Sequence, residues 1–334
     1  MNYIAMKAGV SLSTVSRCIH SPHLVKESTR NRIQSIMQEF NYVYNTQAAE
    51  FSKRKTSMVG LIIPTVKSSI FAEFIDGIHN RLKTTNFSLT MGYSNYNKEE
   101  ELKLINVFLQ RRFAGMIVVG IKDTTRDTIL SAVKNRSISV VSTWEVYNDQ
   151  IVSSVGFDNR KASYNMTKYL LSLGHKYIAI ILGPYSQEQR VRKRLDGYIE
   201  ALKESNLEPN STYIIETVPT LFEGKAAMER LLDLEVPPTA VFAASDVLAM
   251  GAIKAARDRN LKVPEDISIA GFDNIDHASY CNPPLTTVKV PAYEMGDLAA
   301  QLLITNIENN NQQHKRYCLD TEIIVRESCK ILHH

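Results

Sequence analysis

From Met58 onward the chain alternates short apolar runs with amphipathic stretches, and that alternation leaves very few folds open. The runs Val59–Ile63, Ser88–Met91, Met116–Val119, Ser139–Ser142 and Val152–Val155 read as buried strands. Between them, the segments around Phe71–Lys83, Lys98–Gln110 and Thr125–Asn135 read as helices. A second set begins after Asp158, with helix Lys161–Leu173, strand Tyr177–Leu182, helix Gln189–Ser205 and strand Tyr213–Glu216. It continues with helix Glu223–Leu234, strand Ala240–Ala243, helix Asp246–Asn260 and strand Ile267–Phe272. Strands separated by helices pair in parallel through right-handed crossovers. Two such sets predict two α/β lobes, with a ligand cleft between them at the carboxyl ends of the strands.

Charged residues fall at those strand ends. Arg194 follows the loop after Tyr177–Leu182, Asp246 follows Ala240–Ala243, and Asp273-Asn274 closes the run Ile267–Phe272. A guanidinium and a carboxylate facing a cleft can grip hydroxyl groups in pairs. Each residue alone reads equally well as a helix N-cap or a surface charge, Asp246 above all, because it opens a helix after Ser245.

The first fifty residues follow a different plan. In Ala8–Arg17, AGVSLSTVSR, Ala8 and Gly9 close a first helix, Val10 plugs the turn, and Ser11 suits the N-cap of a second. Val15, Cys18 and Ile19 form that helix's apolar stripe, leaving Ser13, Thr14, Ser16, Arg17 and His20 polar. Such a face suits either a recognition helix in a DNA major groove or an αα-hairpin within a globular domain. Ile33, Ile36, Met37 and Phe40 predict a third, amphipathic helix that covers the first two. Residues 1–57 hold eight basic and three acidic side chains, whereas the remainder sums to −1. A basic module on a neutral body is what phosphate binding requires. Asn45–Ser52 can form one or two helical turns, stable only against a partner, before the basic linker Lys53–Ser57. Phe51 there reads either as a core aromatic of the head or as a wedge for a minor-groove base step.

Other functions find little support. No run approaches the length of a membrane span, and MNYIAMKAGVS lacks the pattern of a secretion signal, so a cytoplasmic protein is expected. The four cysteines are scattered, without metal-ligand spacing, and no metal or cofactor is expected. There is no GxSxG, HExxH or glycine-rich phosphate loop, and Glu99 and Glu101 read as solvated carboxylates on an exposed helix. An enzyme is therefore not expected. A solute-binding protein of the periplasmic type shares the two-lobed plan and is the alternative reading.

The stretches AGVSLSTVSR, VKESTRNRI (Val25–Ile33), VGLIIP (Val59–Pro64), GFDN (Gly156–Asn159), LGHKYIAIILGP (Leu173–Pro184) and RLDGYIEAL (Arg194–Leu202) resemble blocks of the LacI/GalR family of bacterial transcription regulators. The longest such blocks are Pro238–Asn274 and Pro283–Gly296. The resemblance implies an all-α helix-turn-helix headpiece (1–44) and a hinge helix with linker (45–57). It implies further an α/β core like type I periplasmic binding proteins, with parallel sheets. Its N-terminal lobe would comprise 58–157 plus 289–315, and its C-terminal lobe 158–288 plus 316–334. The resemblance implies a homodimer that reads operator DNA, controlled by a small effector, most simply a sugar or sugar derivative. Leu12 and Ser13 match base-reading positions, Ser16 and Arg17 further DNA contacts, and Thr14 a phosphate anchor; His20, Ala48 and Phe51 complete the expected DNA-binding set. Arg194, Asp273 and Asp246 match effector-binding positions, and Phe71, Trp144 and Phe222 the aromatic lining, although Trp144 also suits a core position between lobes. Ser68-Ser69-Ile70-Phe71 replaces the family's common Asn-Pro-Phe-Phe. Ile324–His334 lacks a leucine heptad, so a dimer is expected rather than a coiled-coil tetramer.

Overall fold

The computed structural model describes residues 1–42, 56–121, 123–136, 138–147, 152–186, 188–309 and 314–332. The expected hinge turns, with Ala48 and Phe51, lie outside these residues. The chain divides into two compact units, Met1–Thr56 and Ser57–His334.

In the first unit, helices α1 (Asn2–Ala8), α2 (Leu12–His20) and α3 (Glu27–Glu39) enclose a small core. Gly9 ends α1 in the left-handed conformation, φ 59°, which a side chain would resist. The Ser11 hydroxyl caps α2 by accepting from the Thr14 backbone N–H at 3.2 Å. Ile4, Ala5, Ala8, Val15, Cys18 and Ile33 are buried together. Phe40, expected on the buried stripe, is 41% exposed and meets Tyr3 edge-on at 5.0 Å. Lying just past the end of α3, it is beyond the reach of that core.

The second unit contains two lobes of matching plan. The first has strands β1 (Met58–Ile63), β2 (Ser88–Tyr93), β3 (Gly115–Val119), β4 (Ser139–Thr143) and β5 (Ser153–Phe157), connected through α4 (Ile70–Leu82), α5 (Lys98–Gln110) and α6 (Asp123–Arg136). The second has β6 (Ile178–Leu182), β7 (Ile214–Glu216), β8 (Ala240–Ala243), β9 (Ser268–Asp273) and β10 (Thr286–Lys289). Its helices are α7 (Asn159–Ser172), α8 (Gln189–Glu204), α9 (Leu221–Leu232) and α10 (Asp246–Asp258). Sheet order is β2-β1-β3-β4-β5 in one lobe and β7-β6-β8-β9-β10 in the other, so the doubly wound arrangement occurs twice.

The chain crosses between lobes three times. After β5 it enters α7, after β10 it returns through α11 (Ala292–Glu308) to the first lobe, and it crosses again between β11 (Arg316–Leu319) and β12 (Glu322–Ile324). Two boundaries therefore move. Residues 316–319, expected in the second lobe, pair in parallel with Ser154–Phe157 of the first. Lys289, expected in the first, is the last residue of β10 and pairs with Asp273. The sheets are parallel except at β12, an antiparallel edge strand on β10. Glu101 is a further correction. It is 2% exposed and accepts from the Thr125 hydroxyl at 2.7 Å, so it joins α5 to α6 rather than facing water.

Glycines let helices pack at very short range. A methyl group at Gly296 in α11 would collide with the Phe74 carbonyl of α4, and one at Gly77 with the Tyr293 carbonyl. Gly296→Ala is expected to destabilise the core by about 1–3 kcal/mol in urea unfolding. Ordinary helix propensity predicts a gain of nearly 1 kcal/mol for that change, so the sign alone decides whether the close crossing exists.

Candidate functional site

The head presents the amino end of α2. Leu12 is 44% exposed and Ser13 and Arg17 are exposed, while Thr14 and Ser16 are half-buried. The Ser11 hydroxyl lies 2.8 Å from the hydroxyls of both Ser13 and Thr14, which joins these side chains to the cap. The backbone places His20 as the last residue of α2. This face combines small donors, one long cation and one apolar side chain, the chemistry needed to meet phosphates and base edges.

The other site lies in the second unit, where loops at the carboxyl ends of strands from both lobes meet. A small cavity lies there, part of it open to solvent. The first lobe contributes Ser68 from the β1–α4 connection, Ile70 and Phe71 from the start of α4, Tyr96 after β2, and Trp144 after β4. The second contributes Gly183 and Pro184 after β6, Arg190 and Arg194 of α8, Pro219, Ala244-Ser245 after β8, and Asp273 at the end of β9.

Arg194 is held rigidly. Its Nε donates to Asn159 Oδ1 at 2.8 Å, its Nη1 donates to the Ala244 carbonyl at 2.9 Å, and its plane covers the Phe272 ring at 3.7 Å. Burial lowers its pKa to about 10, against the neighbouring Asp273 carboxylate. Asn159 also donates to the Trp144 carbonyl at 2.8 Å, so one buried amide positions a guanidinium from one lobe and an aromatic from the other. Trp144 itself is 2% exposed, packed edge-on against Phe74 at 4.7 Å and tilted against Phe71 at 5.0 Å. It is thus a core residue with an edge on the cavity.

Backbone strain gathers here. Trp144, Asp273 and Asn274 have φ of 66°, 116° and 57°, values that side-chain-bearing residues adopt where the surroundings dictate the geometry. Asp273 is turned toward the two arginines. Burial pushes its carboxyl up to about 6, opposed by Arg194 and Arg190.

Two expected members stand apart. Asp246 is fully buried and is not among the cavity residues; it accepts from the Ile275 N–H at 2.8 Å and from the Thr287 hydroxyl. Its carboxylate occupies the space left by the absent side chain of Gly271. Phe222 is 75% exposed near the start of α9 and lines nothing there, although Pro219, three residues earlier, does. Arg190, Tyr96 and Ser245 line the cavity beyond the residues the sequence singles out. Arg190 was legible, because it precedes Arg194 by one helical turn and so shares its face.

Contacts between lobes border the cavity. Lys193 of α8 pairs with the buried Glu145, which follows Trp144. Among the described residues no helix is long and apolar enough to cross a membrane, and no cluster of side chains suits a metal ion.

Comparison with known proteins bears on both sites. Residues 1–45 match the lacI family of bacterial regulatory proteins and residues 167–329 the periplasmic binding protein-like domain. The chain is 33% identical over 332 residues to the HTH-type transcriptional repressor CytR of Escherichia coli K12, spanning 99% of this chain and 96% of the relative. A solved transcriptional regulator CelR–cellobiose complex aligns with a TM-score of 0.73 and 29% identity, over 97% of this chain and 98% of that one. The lac repressor dimer bound to operator and an anti-inducer shares the fold at a TM-score of 0.86 and 24% identity, over 98% of both chains. The helix-turn-helix head, the doubly wound lobes and this similarity across nearly the whole chain identify it as a member of the LacI family of DNA-binding transcriptional regulators.

Proposed function

We propose that the protein is a homodimeric, cytoplasmic repressor on the nucleoid whose operator affinity is set by a sugar or sugar derivative bound between its lobes. The observation that carries this reading is the convergence of Arg194, Asp273, Phe71 and Trp144 on one cavity at the strand ends. Guanidinium and carboxylate match the donors and acceptors of a polyol, and the aromatic edges match its apolar faces. Leu12, Ser13, Thr14, Ser16, Arg17 and His20 would contact the operator. Ala48 and Phe51 would enter the minor groove as 45–51 folds on DNA, and that ordering would couple effector to operator. A solute-binding protein shares the lobes but has no use for a basic, three-helix head.

The test is selection of the full-length protein against a random duplex DNA library at physiological salt. Recovery of a palindrome of roughly 14–20 bp, with half-sites related by about one helical turn, is the expected result. Enrichment of single half-sites would overturn the dimer. Enrichment of nothing, in the presence and absence of sugars, would overturn operator binding.

A further inference from the structure

Two guanidiniums share the cavity, and they are not equivalent. Arg194 commits Nε and Nη1 to acceptors within the fold. Arg190, 6% exposed and lining the same cavity, has an Nε–H that makes no hydrogen bond. The Glu188 carboxylate lies 3.4 Å from that nitrogen, near enough to balance its charge but out of line for a bond. Buried donors are nearly always satisfied, so an unsatisfied one in a cavity wall marks a missing acceptor.

The position of Arg190 adds to this. It sits on α8 of the second lobe, yet a methyl group placed on Gly120, just past β3 of the first, would lie 3.9 Å from its Cδ. Arg190 thus packs against the first lobe from its place on the second.

The charges around the cavity narrow the ligand's chemistry. Arg190 faces the Glu188 carboxylate and Arg194 the Asp273 carboxylate, and Glu73 adds a further acid beside Asp273. Lys193 and Glu145 cancel at the border. With each of these three cations faced by an acid, an uncharged guest leaves the pairs intact, whereas an anion would compete with those acids for their cations.

We infer that Arg190 determines effector specificity, its Nε–H held for an acceptor oxygen on an uncharged, oxygen-rich small molecule. This rests on the reading of the cleft as the effector site. The experiment measures thermal shift of the full-length protein with a panel of uncharged monosaccharides, disaccharides and nucleosides, beside the corresponding sugar acids and phosphate esters. The uncharged compound giving the largest shift is then titrated against Arg190→Met and Arg190→Lys. Loss of at least about ten-fold in affinity for methionine, partly recovered by lysine, is the expected result. Should Arg190→Met fail to fold around Glu188, the double variant Glu188→Gln/Arg190→Met removes both charges and serves in its place. Affinity within about two-fold of the parent protein would overturn the role of Arg190 alone. Shifts given only by the acids or phosphates would overturn the uncharged class. No shift from any compound would overturn the effector reading itself, and the inference with it.

Discussion

Arg194→Ala is expected to abolish the effector response and to lower stability by about 3–5 kcal/mol, the cost of removing one partner from a buried charged network. The size follows from what the side chain leaves behind. Asn159 Oδ1 and the Ala244 carbonyl lose their donors, the Phe272 ring loses the plane that covers it, and Asp273 loses its principal cation. Arg194→Lys is expected to restore part of the stability but not the response. An ammonium cannot lie flat on a ring while donating in two fixed directions. The readouts separate these effects: urea unfolding gives stability, and the effector-driven change in operator affinity gives the response. Operator binding by Arg194→Ala should persist below the unfolding transition, because the head is a compact unit of its own. An effector-driven change in operator affinity equal to that of the parent protein would remove Arg194 from the site.

The same residue shows how far the sequence could be read. Strands such as IAIIL in β6 are buried along their whole length, and a parallel sheet covered on both faces requires such unbroken apolar runs. Their spacing with the helices made two lobes legible, and the strand ends located the cleft. Edge strands gave no such signal. Arg316–Leu319 is largely exposed, so only its pairing with β5 assigns it to the first lobe. Side-chain direction was equally hidden. Asp246 and Asp273 both sit at the carboxyl ends of neighbouring strands, yet the positive φ of Asp273 faces it into the cavity. The carboxylate of Asp246 instead fills the niche over Gly271 and bonds to Thr287. Phe222 failed for another reason: an aromatic residue near a strand end is only a candidate until the helix it begins is oriented, and α9 leaves it in solvent.

The placement of Asp246 has a consequence for stability that pH can read. Its carboxyl is pushed up to about 8 from an ordinary 3.8, chiefly by burial and then by the Asp273 carboxylate. The Thr287 hydroxyl, the Ile275 N–H and Arg326 oppose that rise without cancelling it. The folded protein therefore holds a proton that the unfolded chain releases near pH 4. That contribution to stability is complete below the unfolded pKa and is lost as pH rises through the folded value. Over pH 4 to 8 the loss is on the order of 5 kcal/mol. Asp246→Asn keeps an acceptor for the Ile275 N–H and supplies a donor to Thr287, but carries no charge to bury. The variant is expected to exceed the parent protein in urea midpoint at pH 8, with the difference shrinking steadily toward pH 4. His175 acts in the opposite sense: burial lowers its pKa, so its contribution is lost as pH falls below about 6.5. Because His175 titrates in both proteins, the difference between the two curves reports Asp246 together with its coupling to Asp273. Parallel curves would show that Asp246 is ionised in the fold as it is in the unfolded chain.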